Sequence, residues 1–230
     1  MRIIGHRGAA GTFPENTLLS FEKAIQTGVE MIELDVHCSA DGRLVVMHDE
    51  KVNRTTGGKG RIRQMTYAEL QPLDAGKGEK IPLLEEVFAL VRGRIKINIE
   101  LKGRNTAVPV ARKISDYRKQ FGLNTDCVVV SSFSRWQLLQ FRKEDKDTRI
   151  GILYPGNPIG FYLWAKKLHA FSVNLSVRAV NASRVRKIHA RHLEVWVYTV
   201  NTLALSDAME KAGVDAVFTD FPERLLQKYQ

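Results

Sequence analysis

The residues able to do chemistry in this chain are spaced two apart. In the run Met31-Ile32-Glu33-Leu34-Asp35-Val36-His37, acidic and imidazole side chains alternate with apolar ones. The run Ile95-Lys96-Ile97-Asn98-Ile99-Glu100-Leu101-Lys102 repeats the pattern with Asn98, Glu100 and Lys102. Successive side chains of an extended strand point to opposite faces. One strand is thus expected to carry Glu33, Asp35 and His37 on one face and Ile32, Leu34 and Val36 on the other. A second sets Asn98, Glu100 and Lys102 opposite its isoleucines and Leu101. Acids turned into a packed interior cost free energy unless something neutralises them. A divalent cation is the simplest neutraliser, and three carboxylates suit Mg²⁺ or Ca²⁺, which take hard oxygen ligands. A set of ion pairs, or a strand face at the surface, is the competing reading.

Two histidines occupy strand ends, His6 in Gly5-His6-Arg7-Gly8 and His48 in Val46-Met47-His48-Asp49. Imidazole titrates near neutrality, so a pair can serve as acid and base for a displacement at phosphorus. Arg7 can place two forked donors on a phosphate, and Lys102 can add a point charge; simple solvation is the alternative for both. The balance of 35 basic and 25 acidic residues gives a net charge of +10. Such a surface draws phosphate esters, nucleic acid or anionic lipid headgroups without choosing among them.

Positioning these groups falls to a regular alternation. Strand patterns cover residues 2–5, 31–36, 44–48, 95–101, 127–131, 149–153, 170–175, 194–199 and 216–219. Helical patterns cover 17–27, 84–91, 107–121, 135–143, 159–168, 182–191, 203–211 and 223–228. Repeated βαβ units imply a parallel sheet. About eight of them in 230 residues suit a (β/α)8 barrel of the TIM type, whose catalytic groups gather at the C-terminal ends of the strands. Residues 50–80, rich in Gly and charge, break the rhythm as a short, loop-rich insertion. One domain over 1–230 is expected. Cys38 and Cys127 have no metal-ligand spacing and read as small buried hydrophobes in a reducing compartment. No charged n-region with a following apolar h-region appears, and no apolar run reaches the ~20 residues of a membrane span. A cytoplasmic protein is therefore expected.

The same residues form a wider pattern. His6-Arg7-Gly8, Pro14-Glu15-Asn16-Thr17, Ile32-Glu33-Leu34-Asp35-Val36, Asp41-Gly42, His48-Asp49 and Arg54-Thr55-Thr56 closely resemble the glycerophosphodiester phosphodiesterase family. Ile99-Glu100-Leu101-Lys102, Ser131-Ser132-Phe133, Thr199-Val200-Asn201, Gly213-Val214-Asp215, Thr219-Asp220 and Pro222 continue the resemblance, in order, over nearly the whole chain. It implies a (β/α)8 barrel that hydrolyses small glycerophosphodiesters to glycerol 3-phosphate and an alcohol. By resemblance, Glu33, Asp35 and Glu100 hold one divalent cation, His6 and His48 are the acid/base pair, and Arg7 and Lys102 hold the phosphate.

Where the family usually has Trp before Thr-Val-Asn, this chain has Tyr198, with Trp196 on the same strand face. Tyr198 and Phe133 are candidates for an apolar wall against the substrate, with core packing as the alternative, the stronger one for Trp196. Asn16 is expected to cap the first helix and Asp220 with Pro222 to open the last. Gly5 and Gly8 are expected to permit close backbone approach. Two other functions compete. A lysophospholipase D-like enzyme would act on lipid-tailed substrates, with Phe161-Tyr162-Leu163-Trp164-Ala165-Lys166-Lys167-Leu168 touching a membrane surface weakly. A basic nucleic-acid-binding protein is the other, but no recognised module supports it, so no specific nucleic acid is expected.

Overall fold

The computed structural model describes residues 1–229. Nine strands form one sheet: β1 (Arg2–Gly5), β2 (Met31–Cys38), β3 (Leu44–Val46), β4 (Lys96–Leu101), β5 (Val128–Ser132), β6 (Arg149–Tyr154), β7 (Ser172–Ser176), β8 (Glu194–Tyr198) and β9 (Ala216–Thr219). β1 pairs in parallel with both β9 and β2, so eight parallel strands close on themselves. β3 lies antiparallel on β2, outside the ring. The helices are α1 (Leu18–Gln26), α2 (Tyr67–Leu70), α3 (Leu84–Val91), α4 (Ala107–Phe121), α5 (Arg135–Glu144), α6 (Phe161–Leu168), α7 (Ala182–His189), α8 (Leu203–Lys211) and α9 (Pro222–Leu226). The expected (β/α)8 barrel is thus the observed one.

Strand alternation divides the core into two layers. Ile32, Leu34, Ile97, Ile99, Val128 and Val130 belong to the large cluster packed under the helices. The opposite strand faces turn inward, where Ile4, Met31, Val129, Trp196, Ala216 and Phe218 fill the barrel. The Ile, Met, Val and Phe side chains among them, taken fully from water, contribute roughly 1.5–3 kcal/mol each. Trp196, 1% exposed, is core, as its alternative reading held. A third cluster, with Val52, Ile62, Leu70 and Ile81, sits under the excursion that follows β3. That segment, expected to be loop-rich, carries one 3₁₀ turn, the four-residue α2 and a single antiparallel bridge between Lys51 and Arg61, yet it has its own apolar support.

Three local expectations are corrected. The strand expected over 44–48 ends at Val46; Met47 N–H still donates to Asp35 O at 2.9 Å, and the chain then leaves the sheet so that His48 stands over the barrel mouth. α1 is capped by Thr17, whose hydroxyl accepts from Ser20 N–H at 3.2 Å, and not by Asn16. Asn16 has φ 59°, the left-handed region, and turns its amide into the site. The last helix starts with Pro222 after Phe221; Asp220 is engaged elsewhere. Cys38 and Cys127 are free thiols, and they are half-buried where buried positions were expected.

Candidate active site

Register brings the acids together. In the β2–β4 ladder Glu33 lies beside Asn98 and Asp35 beside Glu100. All four side chains turn inward, because the intervening Leu34 and Ile99 serve the helix-facing layer. One oxygen from each of Glu33, Asp35 and Glu100 lies within 4.8 Å of the others. Their exposures are 3%, 1% and 8%. No other group of three or more acidic, His or Cys side chains among the described residues comes close enough to share one ion.

This crowding shows in the protonation energetics. Burial, then the charges of Asp35 and Glu100, pushes Glu33 well above the usual carboxylate range. Burial and then Asp35 push Glu100 up to about 7. Asp35 goes the other way: burial opposes its ionisation, but Arg7, Lys102 and His48 hold it below the usual value. The Oδ1 atom of Asp35 and the Nε atom of Arg7 are buried without a hydrogen bond. Buried carboxylates with an unpartnered oxygen fit a hard divalent cation, which would relieve their mutual repulsion.

Arg7 reaches the site through the turn after β1. Its φ of 51° and the φ of 88° at Gly8 put two consecutive residues in the left-handed region. A side chain at Gly8 would meet the Ser20 backbone at 2.6 Å, which justifies the glycine. The turn directs Arg7 N–H onto Glu33 Oε2 at 2.9 Å and its guanidinium toward Asp35 at 3.4 Å and Glu15 at 3.0 Å. Lys102, continuing β4, lies 3.1 Å from Glu100 and 3.7 Å from Asp35.

Both histidines have a carboxylate behind them. His6 Nδ1 donates to Asp220 Oδ1 at 2.6 Å, and Asn201 Nδ2 donates to the other Asp220 oxygen at 2.6 Å. The remaining His6 nitrogen lies 4.0 Å from Glu33. His48 Nδ1 donates to Asp49 Oδ1 at 2.6 Å, leaving Nε2 to accept from Lys102 Nζ at 3.0 Å. Burial lowers the His48 pKa, with Arg7 and Lys102 acting the same way and Asp35 against. Arg54 fixes Asp49 and also forks onto Glu15 at 2.7 and 2.8 Å. Asn16 Nδ2 donates to Asp35 at 2.9 Å.

The structure therefore brings His6, Arg7, Glu33, Asp35, His48, Glu100 and Lys102 into one mouth. Phe133 and Tyr198 line the same cavity, of about 140 Å³, their rings 6.0 Å apart edge to face. Tyr198 O–H donates to Tyr154 O at 2.8 Å, which fixes the ring as a wall. Sequence reasoning assigned no site role to Glu15, Asn16, Asp49, Arg54, Asn201 or Asp220. Of these, Asp49 offered a signal, a carboxylate adjoining a strand-end histidine.

The sequence pattern of the glycerophosphoryl diester phosphodiesterase family matches residues 6–224. A glycerophosphodiester phosphodiesterase of Bacillus altitudinis is 37% identical, covering 98% of this chain and 97% of its own length. One from Caldanaerobacter subterraneus subsp. tengcongensis is 34% identical over 97% of this chain and 96% of its own. Among solved structures, an Oleispira antarctica phosphodiesterase in complex with the product sn-glycerol-3-phosphate superposes with a TM-score of 0.92 at 29% identity, covering 100% of this chain and 96% of that one. On these matches, and on a barrel that sets the motif residues around one mouth, this chain belongs to the glycerophosphoryl diester phosphodiesterase family of enzymes.

Proposed function

We propose that this chain is a metal-dependent hydrolase that cleaves glycerophosphodiesters to glycerol 3-phosphate and an alcohol, working as one domain with residues 50–80 as part of it. The observation that carries the reading is the convergence of three buried carboxylates with two carboxylate-backed imidazoles and two cations. The Oleispira relative with sn-glycerol-3-phosphate as its product supports the substrate class. Glu33, Asp35 and Glu100 are the ligands of one Mg²⁺ or Ca²⁺. Such a cation, when bound, supplies positive charge to the phosphoryl oxygens. Arg7 and Lys102 hold the phosphate and oppose the charge that builds on it. His6 and His48 form the acid/base pair, one taking a proton from the nucleophile and the other giving one to the departing alkoxide. Asp220 and Asp49 fix the tautomers, so that each Nε2 is the nitrogen turned toward substrate. Tyr198 and Phe133 exclude water from one side of the mouth.

A lipid-tailed substrate is the second reading, favoured by the 43% exposure of Phe133 at the open mouth. Glycerophosphocholine and a lysophospholipid, compared as substrates, separate the two. The test of the reaction itself is turnover of glycerophosphocholine before and after chelation, with His6→Ala and His48→Ala as variants. EDTA is expected to abolish turnover and Mg²⁺ or Ca²⁺ to restore it. Each histidine variant is expected to lose about 10²–10⁴-fold in kcat. Chelator-resistant turnover, or near-normal rates in both variants, defeats the reading.

A further inference from the structure

Residues 148–193 contain no Asp or Glu and eight Lys or Arg. The segment builds β6, α6, β7 and α7, one flank of the barrel. Of those eight cations, only Arg149 has a carboxylate partner among the described residues, Asp126 at 3.0 Å. Elsewhere, pairing is common: Arg43, Arg54, Arg61, Arg63 and Arg94 all face carboxylates. Most of the net charge of +10 is therefore concentrated, unneutralised, on one side of the molecule.

At the catalytic end of that flank stands an apolar ridge. Ile159 is 79% exposed and Leu163 73%, with Tyr162 beside them at 39%. Tyr162, Leu163 and Lys166 share one face of α6, Ile159 lies in the turn just before it, and Ala165 and Leu168 face the core. Lys166 and Lys167 follow within a turn, and the Arg191 guanidinium lies 4.4 Å over the Tyr162 ring. The ridge begins where β6 ends, and β6 ends at Tyr154, the residue that anchors the Tyr198 wall of the mouth. The first turn of the neighbouring α5 adds Trp136, 66% exposed, to the same rim.

Single exposed aliphatics are ordinary. Two of them beside an aromatic ring, bordered by lysines that face no carboxylate among the described residues, have the make-up of a segment that lies in a membrane interface. A second copy of the chain fits poorly, since two-fold pairing through this ridge brings two flanks of the same positive charge together. Nucleic acid would use the charge but leave Ile159 and Leu163 without a stacking role. An anionic bilayer uses both: headgroups meet the cations and the acyl boundary takes the aliphatic side chains. We propose that the ridge of Ile159, Tyr162 and Leu163, with its cationic flank, docks this protein on an anionic phospholipid bilayer with the active-site mouth beside the lipid surface.

The proposal does not depend on the reaction, because docking is read without turnover. Flotation with phosphatidylcholine vesicles, with and without phosphatidylglycerol, is the measurement. Binding is expected only with phosphatidylglycerol and should weaken as salt rises. The double variant Ile159→Ser/Leu163→Ser is expected to lose about tenfold or more in vesicle affinity. The double variant Lys166→Gln/Lys167→Gln should lose roughly 30-fold. Both should keep the wild-type melting temperature and wild-type turnover of a dissolved substrate. Absent binding at low salt, equal binding to pure phosphatidylcholine, or variants that bind like wild type overturn the proposal. So does light scattering that shows a dimer which Ile159→Ser/Leu163→Ser dissolves. Tight binding of a duplex oligonucleotide, lost in Lys166→Gln/Lys167→Gln while vesicles remain unbound, overturns it in favour of nucleic acid.

Discussion

At the scale of single residues, the least obvious contributors are the carboxylates behind the imidazoles. Asp49 accepts from His48 Nδ1 and is held well below the usual carboxylate range, first by the hydrogen bond from Arg54. It stays ionised and keeps the Nε2 lone pair of His48 facing Lys102. Asp49→Asn can present its amide N–H to that ring and favour the other tautomer. The expected result is a kcat loss of roughly 10–100-fold with a small change in KM. His48 itself carries a pH signature. Burial depresses its pKa, so the neutral form persists below pH 6.5, and a nearby metal charge acts in the same direction. The acidic limb of kcat/KM that reports His48 should therefore fall below 6.5 and vanish in His48→Ala. A limb at or above 6.5 would contradict the burial argument.

At the scale of elements, the β1–α1 connection is where local backbone conformation and the site are coupled. Thr17 caps α1 while its neighbour Asn16 bends into the left-handed region and reaches Asp35. Thr17→Ala should cost about 1 kcal/mol of stability and leave turnover nearly intact. Gly8→Ala, which would put a methyl against the Ser20 backbone in a left-handed turn, should destabilise more and also lower kcat by displacing Arg7. Thermal melts of the two variants with parallel kinetics separate capping from positioning. Period-two alternation made Glu33, Asp35 and Glu100 legible in the sequence because strand pleating is local, and it likewise announced eight βα units. Misassigned residues have partners that no local pattern encodes. His6 and Asp220 stand 214 positions apart and meet only when β1 closes on β9. Asn16 resembled a helix cap because Asn favours that position, and its contact with Asp35 depends on how the turn crosses the barrel mouth. β3 was read two residues too long because nothing in Met47-His48 marks where pairing stops.

At the scale of the whole molecule, the crowding of buried carboxylates in the acidic cluster is a source of instability. Glu100 titrates at about 7 in the folded chain against an ordinary 4.5, and Glu33 shifts the same way. Between those pH values the native state holds a proton that the unfolded state has released. This contribution to stability is therefore fully present below pH 4.5 and lost as pH rises to about 7. In EDTA, melting temperature should fall across that window. Mg²⁺ or Ca²⁺ should raise it and flatten the slope, since a ligated carboxylate is held ionised whatever the pH and binding to the native state alone stabilises it. Glu100→Gln removes one of the crowded charges. It should raise stability in EDTA at pH 8 by on the order of 1–3 kcal/mol, while erasing most of the cation-induced gain. Asp145 sets a control at the opposite pole of chemistry. Burial opposes its ionisation, but the Thr148 hydroxyl and the backbone N–H groups of Thr148 and Asp147 hold its pKa down. Its stabilisation is present above the ordinary Asp value and lost in acid, so Asp145→Asn should weaken the protein at pH 8 with cation or EDTA alike. Opposite signs for these two carboxylates in one set of melts would identify the cluster as a site shaped for a cation; a destabilised Glu100→Gln variant in EDTA would show that its charge is already satisfied by Lys102.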